Sequence, residues 1–279
     1  MECIPCFFKQ AIKAGSIAGL HQTDIIKVIN RVALNIPKIS LKSSPPEIGM
    51  VVYKSIYRVT KIKDPFKKVK KSCTRRLLDV YPEFKEKIKN SKDALYTALK
   101  FATLANAIDL GANPDFVLEE ELRNFTIRDF DVCDYSEFKY ALKRARNVLY
   151  IADNAGETVF DRLLIEELNR PVIYVVRENP IINDAIMEDA LDAGLDKVAE
   201  IISSGCDAPG TILKLCSWKF RRIFARADLV ISKGQGNYET LSNCRRQIFF
   251  LLKLKCPVIA RDMGFPTGSV VLSRNRNAS

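Results

Sequence analysis

Histidine is almost absent from this chain: His21 stands alone among 279 residues. A four-ligand zinc site would therefore have to reach for distant cysteines such as Cys206. The chain also lacks any run of about 18 uncharged apolar residues, which argues against a transmembrane helix. Met1-Glu2-Cys3 is not a basic segment followed by an apolar one, so a secretory signal peptide is not supported. A cytoplasmic location is the expectation. No internal repeat and no low-complexity region is evident. A glycine-rich turn after the first apolar run of the second half is missing too. Asp153-Asn154-Ala155-Gly156-Glu157 holds one glycine, which counts against a nucleoside-cofactor methyltransferase, and Gly234-Gln235-Gly236 lacks the third glycine and the early position of a dinucleotide fingerprint.

What the chain does have is a hydrophobic fraction of 47% and a net charge of +11. The first suffices for a sizeable core, in one large domain or two small ones. The second favours anionic partners. Much of the excess sits between Lys61 and Arg76, where only Asp64 opposes the basic residues and Phe66 is the one aromatic. Without stacking residues or a recognisable module, this stretch reads as a solvated helix face, and nucleic acid is not the expected partner. The 8 cysteines are scattered, which suits reduced thiols better than a disulfide framework. Cys3 and Cys6 form a C-x2-C, a spacing that serves a second metal or redox site, or simply two small buried thiols at a helix start.

Residues 1–135 read as an all-helical N-terminal subdomain. Apolar residues recur at helical spacing over 6–18 and again through Ile25, Ile29 and Val32. Pro45-Pro46 precedes a helix from Glu47 towards Arg58, and Asp64-Pro65 opens the basic helix. Another helix starts at Ser91 and stops at Gly111, before Asn113-Pro114. Residues 115–134 form an acidic link. Residues 136–279 change character, to short β-branched runs alternating with amphipathic stretches. Strands are expected at 148–152, 171–176, 198–203, 228–232 and 257–260. Helices are expected over 157–168, 183–193 and 211–226, and from near Asn237. The tail from Ser273 is expected to be mobile. This alternation predicts a Rossmann-like, mostly parallel α/β sheet with helices on both faces, packed as one unit with the helical subdomain.

In such sheets ligands bind beyond the carboxyl ends of the strands. Asp153-Asn154, Asp184, Ser203-Ser204-Gly205 and Lys233-Gly234-Gln235-Gly236 should all face one crevice. A carboxylate beside an amide offers oxygen to a hard metal ion, and a lysine with two glycines can hold a phosphate. Each has a plain alternative. Asp153 or Asn154 suits a helix cap with Glu157 completing a capping box. Asp184 suits a first-turn charge, and Gly234 and Gly236 suit a tight turn. Convergence of two carboxylates, an amide and a lysine favours metal-assisted chemistry on a phosphorylated molecule.

Five segments carry a resemblance: Cys3-Ile4-Pro5-Cys6-Phe7 with Gln10-Ala11, residues 105–111, residues 152–157, residues 203–210, and residues 233–239. In this order they resemble the damage-control phosphatases, metal-dependent enzymes first grouped as a domain of unknown function. The cysteine pair resembles the prokaryotic branch. The resemblance implies that Asp153, Asn154 and Asp184 hold a divalent cation (Mn²⁺, Co²⁺, Ni²⁺ or Mg²⁺) and that Lys233 contacts the substrate phosphate. It implies that Asn106 and Asp109 reach the crevice from the helical region, with Glu157, Ser204, Gly234, Gly236 and Glu239 also around the substrate. The expected activity is hydrolysis of small phosphorylated metabolites: sugar phosphates or phosphorylated cofactor intermediates, damaged forms included. The attacking group is a water or a carboxylate such as Asp153. The competing readings are a non-catalytic nucleotide- or nucleic-acid-binding protein and a methyltransferase. The oligomeric state is open.

Overall fold

The computed structural model describes residues 2–40, 43–106, 122 and 127–275. Three helices, α1 (Cys3–Ile17), α2 (Gln22–Ala33) and α3 (Pro45–Thr60), pack around one cluster containing Phe7, Ala11, Val28, Val32, Val52 and Ile56. The two prolines at the start of α3 sit where their missing N–H groups cost nothing. Just before them, the Ser44 N–H donates to Glu47 Oε2 at 2.8 Å.

The next two helices, α4 (Lys67–Lys89) and α5 (Ala94–Ala105), belong to the core of the sheet instead. Phe84 of α4 stands edge-on to Phe101 of α5 at 4.9 Å and to Phe160 at 5.1 Å. The basic run is not wholly a solvated face. Lys70 is buried, with Nζ 2.9 Å from Asp64 and 2.8 Å from Asp189, while Lys67 and Lys71 pair with Glu188. The expected stop at Gly111, Asp109 and most of the acidic link lie outside the described residues.

Seven strands form one sheet: β1 (Val132–Cys133), β2 (Val148–Ile151), β3 (Val172–Val176), β4 (Glu200–Ser203), β5 (Leu229–Lys233), β6 (Phe249–Lys253) and β7 (Val270–Arg274). Their order is β1-β7-β6-β5-β2-β3-β4, and every neighbouring pair is parallel except β6–β7. The central strand β2 explains its own sequence. Val148 and Tyr150 face one helical layer, Leu149 and Ile151 the other, and all four are buried. On the first face lie α4, α5, α6 (Tyr135–Arg144), α7 (Thr158–Leu168) and α8 (Met187–Asp192). On the second lie α9 (Trp218–Arg226), α10 (Gln235–Leu241) and α11 (Pro257–Met263). No described helix is long and apolar enough to cross a membrane.

The structure corrects several sequence expectations. Residues 257–260 are the start of α11, because Pro257 occupies a first-turn helical position, and the strand is the preceding run Phe249–Lys253. Asn183 lies in a turn, Asp184 and Ile186 form isolated β-bridges, and α8 begins only at Met187. Residues 213–215 make a 3₁₀ turn, and α9 starts after Ser217, whose Oγ accepts the Phe220 N–H at 3.2 Å. The supposed tail begins inside β7, where Ser273 and Arg274 pair with Phe250 and Phe249.

Candidate active site

Backbone geometry builds the site first. The strand-end segments after β2 and β3 are tied together as a short antiparallel bridge between Asn154 and Asp184. The Ala155 N–H donates to the Asn183 carbonyl at 2.8 Å, and the Ala185 N–H donates to the Asp153 carbonyl at 2.8 Å. The Arg177 N–H reaches the Ala185 carbonyl at 2.9 Å. Asp184 is thereby set beside Asp153 by main-chain bonds, not by a helix start.

Side chains then fix which oxygens are left over. Asp153 Oδ2 accepts from Asn106 Nδ2 and from Asn154 Nδ2, both at 3.1 Å. The same two amides donate to Glu157 Oε1, at 2.6 and 2.5 Å. Each amide nitrogen therefore bridges two carboxylates, and the Asn154 oxygen is turned away from them. Asp184 Oδ2 accepts from Arg177 Nε at 2.8 Å. The other two guanidinium nitrogens are held by Thr211 at 3.0 Å and Asn237 at 3.1 Å. Asn237 in turn donates to the carbonyls of Ala152 and Lys233 at 2.9 and 2.8 Å, locking α10 onto the ends of β2 and β5.

Lys233 is the last residue of β5 and is fully buried. Its Nζ lies 2.6 Å from Glu157 Oε2 and 2.7 Å from Asp161 Oδ1. Those two anions raise its pKa against the opposing effect of burial. Gly234 follows at φ 76°, a left-handed position where a Cβ would fall 1.8 Å from Asp153 Oδ2.

The electrostatics are unbalanced. Burial pushes the Asp153 carboxyl well above the usual range, and the charges of Asp184 and Glu157 push the same way. Burial also raises Asp184, against the pull of Arg177. Glu157 stays low because Lys233 outweighs its burial. Burial raises Asp161 too, against the pull of Lys233, so three of the four carboxyls around the buried cations Arg177 and Lys233 are pushed towards their neutral form.

A cavity of about 340 Å³ lies above this floor, between the sheet's carboxyl edge and helices α1 and α3. It brings together Asn106, Asp153, Asn154, Asp184, Gly236, Glu239, Cys3 and Cys6. Glu157, Lys233, Gly234 and Ser204 are not on its wall. Ser204 is buried in the loop after β4, with its carbonyl accepting the Ser217 N–H at 2.9 Å. Asp109 lies outside the described residues. Cys3 shares the wall with Cys256, and its thiol is raised by burial and then by Glu239. All described cysteines are free thiols.

Three residues escape the sequence reading. Lys255 is exposed on the cavity wall, and its charge reaches Asp153 and Glu157. Nothing local distinguishes it from many other surface lysines. Arg177 stood at a strand end, but only the fold reveals that it holds Asp184. Asp161 looks like an ordinary first-turn helix charge until β2, β3 and β5 close around it.

Among the described residues, no three His, Cys, Asp or Glu side chains converge on one point as a closed metal cage. The residues on the cavity wall that could hold a cation are fewer and harder: Asp153, Asn154 and Asp184 can each offer an oxygen. That suits a divalent ion that keeps water or substrate oxygens in its remaining positions. A cation there would also offset the burial that raises Asp153 and Asp184.

A parallel α/β sheet with acidic and amide groups at its carboxyl edge, roofed by N-terminal helices, defines a protein that works on a small ligand at that edge. The family model described as the damage-control phosphatase ARMT1-like domain matches residues 1–271, and the chain belongs to that family. It is 36% identical to the damage-control phosphatase PH1575 of Pyrococcus horikoshii, over 99% of this chain and 97% of the relative. A damage-control phosphatase of Archaeoglobus fulgidus is 35% identical over 79% of each chain. The crystal structure of a DUF89 family protein from P. horikoshii superposes with a TM-score of 0.88 at 35% identity, covering 99% of this chain and 98% of the other.

Proposed function

We propose that this protein is a metal-dependent phosphatase of small phosphorylated metabolites, with Asp153, Asn154 and Asp184 as the cation ligands. The observation that carries the reading is geometric: main-chain bonds set Asp153, Asn154 and Asp184 side by side on the cavity wall. The family and its named phosphatase relatives support the reaction class. A divalent cation bound there would draw charge from the phosphate oxygens as the ester bond breaks.

The chain's own residues supply the rest. The Asn106 and Asn154 amides fix Asp153 so that its other oxygen faces the cavity. Arg177 does the same for Asp184. Lys233 is committed to Glu157 and Asp161, so in this reading Lys255 makes the direct phosphate contact first expected of Lys233. Each aspartate has one oxygen taken by protein donors and the other assigned to the cation. Water is therefore the attacking group, and no aspartyl-phosphate accumulates. The cavity volume suits a sugar phosphate or a phosphorylated cofactor fragment. The basic stretch gives the nucleic-acid reading little support, since Lys67, Lys70 and Lys71 are engaged in ion pairs.

The test is a phosphate-release screen over sugar phosphates and phosphorylated cofactor intermediates, with Mn²⁺, Co²⁺, Ni²⁺, Mg²⁺ or a chelator. Release that needs a divalent ion and is lost in Asp153→Asn supports the reading. Release undiminished by the chelator, or by that substitution, refutes it.

A further inference from the structure

Asp161 is fully buried and does not line the cavity, yet three strands converge on it. Its Oδ1 accepts from the Tyr150 hydroxyl of β2 and from Lys233 Nζ of β5, both at 2.7 Å. Its Oδ2 accepts from the Tyr174 hydroxyl of β3 at 2.7 Å. Tyr150 and Tyr174 are stacked with ring centroids 5.4 Å apart, so neither hydroxyl can swing freely. The carboxylate is fixed on both oxygens, and Lys233 is fixed by it.

A buried lysine has a long, flexible stem, and one carboxylate alone would not determine where its ammonium sits. Here it is clamped between Asp161 and Glu157. Glu157 Oε2 is thereby tied to Lys233, leaving Oε1 as the acceptor for the Asn106 and Asn154 amides. An Asn amide can be turned end for end at little steric cost. What forbids the flip at Asn154 is that both its neighbours, Glu157 Oε1 and Asp153 Oδ2, are acceptors.

We propose that Asp161 is a positioning residue for the cation site, acting through Lys233 and Glu157 to hold the Asn154 oxygen towards the cavity. The proposal rests on the reading of Asp153, Asn154 and Asp184 as cation ligands. It goes beyond that reading in assigning part of the affinity to a carboxylate that touches neither cation nor substrate. Outer groups of this kind typically change metal affinity by about 10–100-fold.

The test is a double-mutant cycle on the full chain, stripped of metal and titrated calorimetrically with Mn²⁺. Asp161→Asn is expected to weaken Mn²⁺ binding by about tenfold in the wild-type background. In a Glu157→Gln background it should cause no further loss, because the path it acts through is already cut. At saturating Mn²⁺ the KM for the ester should stay that of the wild type. Equal losses in both backgrounds, no loss in the wild-type background, or a KM that rises at saturating Mn²⁺ would each overturn the proposal. If Asp161→Asn does not fold, Tyr150→Phe combined with Tyr174→Phe replaces it, since this keeps the charge and releases the carboxylate. The same dependence on Glu157 is then required. A wild-type protein that binds Mn²⁺ while the cycle is additive refutes Asp161 alone. A wild-type protein that binds no divalent ion refutes the cation site and this proposal with it.

Discussion

Asn154 and Asp184 are paired across an antiparallel bridge that belongs to neither neighbouring strand. This pairing brings the two halves of the acidic floor together before any ligand arrives. It does so with main-chain bonds, which a side-chain substitution leaves in place. Changes at Asp153 or Asp184 should therefore report on charge and chemistry more than on backbone placement.

The two aspartates should differ in what they do to stability. A carboxyl whose folded pKa is raised above its unfolded value weakens the fold at neutral pH. Burial raises both aspartates, but only Asp184 is hydrogen-bonded to the Arg177 guanidinium, so Asp153→Asn should give a metal-free Tm equal to or above that of the wild type, with phosphatase activity lost. Asp184→Asn leaves the buried Arg177 guanidinium without its anion, though Thr211 and Asn237 still hold it. A cost of about 1–3 kcal/mol is expected, read as a Tm lower by several degrees. Equal Tm changes in the two variants would contradict this division.

Gly234 offers a purely steric test. Alanine there would need a left-handed backbone at φ 76° and would thrust its methyl into Asp153. Gly234→Ala should abolish divalent-ion binding and cost at least about 1 kcal/mol in stability. Mn²⁺ titration alongside chemical denaturation checks both. Retained binding would mean that Asp153 is not held where its bonds place it.

The two lysines should separate cleanly. Lys255→Ala removes an exposed charge at the cavity wall, so KM should rise and kcat/KM fall about 10-fold or more, with Tm little changed. Lys233→Met leaves Glu157 and Asp161 buried without their cation. That should destabilise the fold by about 3–5 kcal/mol, seen in urea unfolding. A Lys255→Ala enzyme with wild-type kcat/KM would remove that residue from the phosphate contact.

Much of this was legible in the chain, and the gaps have physical causes. The turn after β2 is local, so spacing alone places Asp153, Asn154 and Glu157 together, but that Glu157 pairs with Lys233 and leaves the cavity wall is decided by distant β5. Asp184 lies in a segment that pairs with the β2 turn through backbone bonds, and such pairing leaves no side-chain signature. It reads equally well as a helix cap. Residues 257–260 look like a strand because a short apolar run carries no usable period. Only the proline at a first helical position gives the helix away. Lys233 reads as a turn residue at the strand's end, but β5 runs one residue further and takes it into the core. The places of Lys255 and Asp161 depend wholly on contacts between distant segments.

Glu239 gives a pH test away from the acidic floor. Burial pushes its carboxyl up to about 7, from an ordinary value of 4.5, with Gln235 pulling weakly the other way. Between those values the folded state holds a proton that the unfolded state has released, so stability falls as pH rises through this window. Glu239→Gln removes that slope. The variant should gain about 2–6 °C in Tm over the wild type at pH 8.5 and nothing near pH 4.5. Parallel Tm–pH curves for the two proteins would show that Glu239 is not held protonated.

The central claim is that Asp153, Asn154 and Asp184 together bind a divalent cation at the cavity floor. Calorimetric titration of the metal-stripped protein with Mn²⁺, at pH 6 and pH 8, measures it most directly. One ion should bind per chain, no more weakly at pH 8 than at pH 6, because a cation and a proton compete for the buried Asp153 carboxyl. Absence of binding at both pH values, or binding unchanged in Asp153→Asn, would contradict the account.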